Sequence, residues 1–177
     1  TSAEQAAATA QSLAAQGVQY VAVTLKDSQG YVYYNSALPA AAQSLAANTV
    51  DASAVVSALK DAGLTPVAAI CAFQDPIAAR ADRTMAIHYR DAENPQSDYL
   101  WLDAAANAGG KPWLNPYAAS AVDYISGLIE EARSLGFEQV LLSGLQLPTN
   151  ATSYCDYGST NGVSASDQLK NDLAAFT

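Results

Sequence analysis

The sequence predicts an α/β protein built on a parallel β-sheet with alternating helices, and three observations predict it. Helix-forming and strand-forming segments alternate along the chain, an order that implies parallel strands joined by right-handed crossovers. Three β-branched or apolar runs, QYVAVTLK (19–26), TPVAAICAF (65–73) and QVLLSGLQL (139–147), read as buried strands. A glycine, in turn Gly17, Gly63 and Gly136, stops the helical pattern ahead of each run. The chain has 177 residues, half of them hydrophobic, which is enough to bury one core, and no repeat or long linker divides it. A single domain over residues 1–177 is expected, with the start at Thr1 rather than Met marking a processed product or a piece of a longer protein.

Ser2 followed by Gln5 is a capping-box start, and the Ala-rich residues 3–16 form the first helix. After the first strand, residues 27–30 make a turn and residues 31–34 pair back as a short extended arm. Residues 35–50 are helical in composition but interrupted by Pro39. Asp51 or Ser53 caps a second helix that runs to Ala62. Beyond the second strand, Asp75-Pro76 opens a helical turn reaching to Ala81. Residues 85–89 and 99–102 look extended, joined by a polar loop through Asn94-Pro95, and Gly109-Gly110 with Pro112 marks an irregular connection. The clearest helix is expected from Pro116, with Val122, Ile125, Leu128, Ile129, Ala132 and Leu135 on one face. Ser164 or Ser166 caps a last helix ending near Phe176.

Only 14% of residues are charged, and acids outnumber Lys plus Arg by 17 to 8, so phosphate backbones and anionic membrane surfaces are poor partners. No apolar run approaches the ~20 residues that cross a bilayer, so membrane insertion is not expected. The aspartate-rich, lysine-poor composition points to a secreted or cell-surface, extracytoplasmic domain. Cys71 and Cys155 could pair in an exported protein, although Cys71 also reads as a small buried hydrophobe. One histidine and two separated cysteines give no support to a zinc site, no loop has calcium-binding spacing, and no phosphate-binding glycine motif follows a strand. No metal or cofactor is expected. His88 and Ser143 lack the Gly-x-Ser-x-Gly context of a nucleophile elbow.

Four motifs in order then carry a likeness: VTLKDSQGYVYYNS (23–36), AAICAFQDPIAAR (68–80), WLNPY (113–117) and GFEQVLLSGLQLP (136–148). With the helices between them, the chain resembles a "putative glycosyl hydrolase" family of bacterial proteins with a TIM-barrel-type fold. The resemblance implies an acid where Thr24 stands, an arginine where Ala69 stands, and an acid and an arginine where Ser143 and Gln146 stand. Those ionisable groups are missing. Lys26, the Phe73, Asp75 and Pro76 set, and Trp113, Asn115 and Pro116 remain. A closed eight-stranded barrel takes ~250 residues, so the expected architecture is a partial TIM-barrel-like sheet, an open half-barrel.

Glycoside hydrolysis needs two carboxyl groups flanking the scissile bond, which leads to a glycoside-hydrolase-like domain that is catalytically degenerate and retains weak carbohydrate binding. Two other readings stay open: an active glycosidase with a relocated carboxylate pair drawn from Asp75, Asp27 and Asp156, and a non-catalytic structural or interaction module. Asp75 also fits as the cap of the turn that Pro76 begins. Ten tyrosines and two tryptophans supply ring faces suited to sugars or to packing, and Lys26, Trp113, Asn115, Tyr117 and Tyr33 are the expected substrate-binding residues. An open sheet edge invites a homodimer or an adjacent domain to cover it.

Overall fold

The computed structural model describes residues 3–95, 97–148 and 154–177, so the Ser2 cap lies outside the described residues. Helix α1 (Ala3–Ala15) leads into β1 (Tyr20–Lys26), and a turn returns the chain through β2 (Val32–Tyr34). The ambiguous stretch that follows is not a helix: after a single 3-10 turn (Pro39–Ala41) it becomes β3 (Leu45–Val50), which runs parallel to β2. Helix α2 (Ala52–Asp61) is capped by Asp51, whose side chain accepts from the Ala54 N–H, and not by Ser53. Strand β4 (Thr65–Cys71), helix α3 (Pro76–Ala81) and the short β5 (His88–Tyr89) come next.

The long helix α4 (Ala119–Ser134) starts three residues after Pro116 because Asn115 organises a turn first. Its Oδ1 accepts from Tyr117 N, and Ala118 N donates to its carbonyl. Strand β6 (Gln139–Ser143) is followed by β7 (Cys155–Asp156), a two-residue strand inside what reads as a polar loop, and α5 (Ala165–Ala175) is capped by Ser164.

The main sheet has the order β3-β2-β1-β4-β6. Its core, β1, β4 and β6, is parallel as expected; β2 is an antiparallel arm joined to β1 at Lys26↔Val32. No barrel closes among the described residues, in keeping with a half-barrel. A second, two-stranded sheet pairs β5 with β7 antiparallel; the bridge His88↔Leu100 ties it to the 99–102 segment, and Ala86↔Leu114 ties the residues before β5 to Leu114.

Alternation gives the parallel core two unlike faces. Leu25 of β1 and Ala68 and Ile70 of β4 are buried with Val56 of α2 and the α4 stripe of Ala121, Ile125, Leu128, Ile129 and Ala132. The opposite face carries the register rows Ala22–Val67–Gln139 and Thr24–Ala69–Leu141. Nothing among the described residues covers it fully: Tyr20 is 60% exposed and Leu141 54%. Parallel sheets ordinarily bury both faces, so this surface is the interior side of a barrel wall left open. Glu131 of α4 latches the β2 arm by accepting from Tyr34 Oη (2.7 Å), Ser36 Oγ (2.6 Å) and Ala37 N (2.8 Å), and burial followed by that hydrogen bond pushes the Tyr34 hydroxyl pKa up.

Helix α5 closes over Pro116 through Gln168, whose Nε2 donates to Pro116 O (3.1 Å) and to Asp172 Oδ1 (2.7 Å). Asp172 is 3% exposed, and burial pushes its carboxyl up to about 6. The folded chain therefore holds that proton more tightly than the unfolded chain, and this group's contribution to stability falls as pH rises from about 4 through about 6. Asp172→Asn is expected to stabilise the fold by about 2–3 kcal/mol at pH 7 and by much less near pH 4; urea unfolding of both proteins at the two pH values measures the difference.

Candidate functional site

In parallel α/β folds the working residues gather at the carboxyl ends of the strands. Here those ends form a crevice of about 340 Å³ lined by Thr24, Asp27, Ser28, Ala69, Gln74, Leu141 and Ser143 among others. The register explains the convergence. Thr24 lies opposite Ala69, Ala69 opposite Leu141, and Ser143 opposite Cys71, so three of the positions expected to carry charge do share one face and one crevice. Gln146 follows beyond the strand and is exposed. Gln74 and Ser28, which also line the crevice, have no sequence signal of their own; the turns after β4 and β1 bring them in.

Lys26 also borders this crevice, but its ammonium is turned into the protein. Its side chain is fully buried, with Nζ 3.2 Å from Asp75 Oδ2, 2.5 Å from the Cys71 carbonyl oxygen and 3.3 Å from that of Ala72. β1 ends with Leu25 and Lys26 both buried, where a regular alternation would expose one of them, and a register irregularity between Thr24 and Lys26 accompanies the change.

Asp75 is equally enclosed. It caps α3, with Oδ1 accepting from Ile77 N (3.1 Å) and Ala78 N (2.8 Å), while Oδ2 faces Lys26. Gly30, at φ +88°, packs so close that a Cβ there would collide with Asp75 Oδ1. Tyr124 stands beside the pair, its hydroxyl pKa pushed up first by burial and then by the Asp75 carboxylate. The capping reading of Asp75 accounts for its geometry, and its side chain is fully buried.

Asp27 organises the β1–β2 turn: Oδ1 accepts from Gln29 N and Tyr31 N (2.9 Å each), and Oδ2 accepts from Tyr33 Oη (2.7 Å). That bond raises the Tyr33 hydroxyl pKa. Tyr33 and Asp27 also border an apolar groove of about 500 Å³ beside β1, shared with Leu13 of α1 and Leu59 of α2.

A separate cavity of about 440 Å³ gathers Asn115, Tyr117 and Asp156 with His88, Arg90 and Tyr157. Asp156 arrives there because β7 pairs with β5, directly opposite His88. The sequence offered no sign of that pairing, and Arg90 and Tyr157 escaped notice with it. Trp113 lines no cavity described here. It is 7% exposed, packs with Ile87, Trp101 and Cys155, and donates from Nε1 to Asp103 Oδ2 (3.1 Å). That cluster also separates the cysteines: Cys155 belongs to it, Cys71 sits at the end of β4, and no disulfide joins them among the described residues. His88 and Ser143 line different cavities, and no group of His, Cys, Asp and Glu suited to a metal ion occurs among the described residues.

A parallel half-barrel with its strand ends gathered around one crevice defines a barrel-type α/β domain. The chain belongs to the family described as "Putative glycosyl hydrolase domain", whose profile matches residues 1–174. Among solved structures it is similar to a hypothetical protein from Ruminiclostridium thermocellum ATCC 27405 (TM-score 0.81, 19% identity, 99% of this chain and 85% of that one). It is also similar to α-L-fucosidase isoenzyme 2 from Paenibacillus thiaminolyticus (TM-score 0.57, 17% identity) and to a GH20 exo-β-N-acetylglucosaminidase from Vibrio harveyi in complex with N-acetylglucosamine (TM-score 0.59, 15% identity). The chain spans 25% and 28% of those two glycosidases, with 97% and 98% of its own length aligned. At such identities the likeness is one of fold. No curated protein matches the chain.

The enclosed ion pair yields a direct test. Lys26→Met leaves the Asp75 carboxylate buried without its counter-charge and is expected to cost about 3–5 kcal/mol, whereas Lys26→Met combined with Asp75→Asn should cost less than either charge deletion suggests. Denaturant unfolding of the double-mutant cycle reads both.

Proposed function

We propose that this is a glycoside-hydrolase-like domain whose strand-end crevice is catalytically inert and which retains carbohydrate binding. One observation carries the reading: the crevice where the chemistry of such barrels resides has Thr24, Ala69 and Ser143 on its sheet wall, and the carboxylate among its lining residues, Asp27, is engaged by two backbone N–H groups and the Tyr33 hydroxyl. A hydroxyl cannot stabilise an oxocarbenium-like centre as a carboxylate does, and a single committed carboxylate cannot supply both acid and nucleophile. The relocated-pair alternative loses support because Asp75 is sealed against Lys26 and Asp156 lines the other cavity. Membership of the family and the fold shared with two glycosidases support the carbohydrate side of the reading. The acidic, lysine-poor composition supports placing the domain outside the cytoplasm.

The bare inner face favours a second reading that is compatible with the first: an adjacent domain or a second copy covers it, because Tyr20 and Leu141 would otherwise stay in water.

Incubation with a panel of aryl α- and β-glycosides is expected to give no release of the phenol above buffer, from the wild type or from Asp27→Asn. Turnover by the wild type that Asp27→Asn abolishes would refute the inert-site reading. For the bare face, sedimentation equilibrium should show self-association rising with concentration if a second copy is the cover; a monodisperse monomer at high concentration leaves only the adjacent domain.

A further inference from the structure

We propose that the cavity between the β5–β7 ribbon and the start of α4 is a glycan-binding subsite that takes a neutral pyranose ring, distinct from the strand-end crevice. The inference rests on the carbohydrate reading above and gives it a location. The two spaces have no lining residue in common, so the losses at Thr24, Ala69 and Ser143 leave this cavity untouched.

Its aromatic wall is fixed before any ligand arrives. Tyr117 and Tyr157 stand with ring centroids 5.4 Å apart at 52°. Asn115, itself 6% exposed, ties them together: Nδ2 donates to the Tyr157 carbonyl oxygen (3.1 Å) and Oδ1 accepts from Tyr117 N (3.0 Å). The Tyr117 hydroxyl donates to Val163 O (3.1 Å), and the Tyr157 hydroxyl is buried, so what these residues offer the cavity is mainly ring surface. Rings held in this way lose little freedom on binding, and their faces suit the C–H face of a sugar.

The polar wall lies on the ribbon. Asp156 is half-exposed, with one oxygen oriented by Gly158 N (3.0 Å) and standing 3.9 Å from Arg90 Nη2. A carboxylate with spare lone pairs accepts from one sugar hydroxyl, and the exposed guanidinium beside it donates to the next. His88 adjoins them, opposite Asp156 on the ribbon. The charges have mixed sign, with Arg90 set against Asp91 and Asp156, which disfavours a phosphate or sulfate. The polar lining disfavours a lipid tail. A volume of about 440 Å³ falls within the range of about 300–1,000 Å³ typical of small-ligand pockets.

Amide chemical-shift mapping on the full chain tests the assignment, with hexasaccharides of glucose, mannose and N-acetylglucosamine as probes at millimolar concentration. At least one probe should shift the amides of Tyr117, Asp156, Gly158 and Ser159. Asp156→Asn, a half-exposed position where the fold is readily checked from the same spectra, should weaken that binding about tenfold, and Arg90→Gln should weaken it in the same direction. Shifts confined to Thr24, Gln74 and Ser143 would overturn this cavity while leaving the carbohydrate reading in place. No shift with any of the probes would overturn both. Binding here that Asp156→Asn and Arg90→Gln leave unchanged would overturn the proposed polar wall.

Discussion

Lys26 carries a full positive charge to a place that water does not reach, and Asp75 answers it with the carbonyl oxygens of Cys71 and Ala72. Removing a charge from water costs several kcal/mol, so such a pair persists only where the geometry satisfies both ions. The arrangement joins the end of β1, the end of β4 and the first turn of α3 at one point. Gly30 must be a glycine for the β1–β2 turn to pass Asp75, and the turn residue Asp27 then fixes where β2 and Tyr33 lie. Much of the upper surface of the sheet is therefore positioned by one buried charge and its partner. The tie between two strands and a helix that this contact provides gives Lys26 and Asp75 a structural reason to be present beneath the crevice.

The crevice itself follows from register. Parallel pairing sets Thr24 beside Ala69 and Ala69 beside Leu141, so Thr24, Ala69 and Ser143 fall together in space even though more than a hundred residues separate the first from the last. The sheet wall of the crevice thus presents Thr24, Ala69, Leu141 and Ser143 side by side. The polar equipment lies instead on the loops that follow β4 and β6, where Asn115, Tyr117, Asp156 and Arg90 meet. Loops on a rigid scaffold commonly carry binding, which is why the proposed glycan subsite is placed on this loop layer.

Local signals were strong where one segment supplies its own reasons. The α4 stripe, the glycine stops and the three parallel strands could be read directly, because helical periodicity and apolar runs are properties of neighbouring residues. Strand β3 was not legible: Leu45-Ala46-Ala47 suits a helix, and pairing with β2 decided the matter. Strand β7 consists of two residues whose partner lies more than sixty positions earlier. In the same way, Asp156 and Tyr117 were recognisable as candidates, but Arg90 and Tyr157 were not, since only the ribbon and the Asn115 bridge bring them to one cavity.

The sequence alone determined the α/β alternation and the three-stranded parallel core. These depend on residue type and on spacing along the chain. The tertiary structure alone decided that Lys26 pairs with Asp75 in the interior, that Trp113 packs in a buried cluster, that Asp27 and Asp156 line separate spaces, and that one sheet face is bare. Burial and pairing are relations between distant segments, and an ion, a ring or a carboxylate takes its role from whichever partners the fold sets beside it.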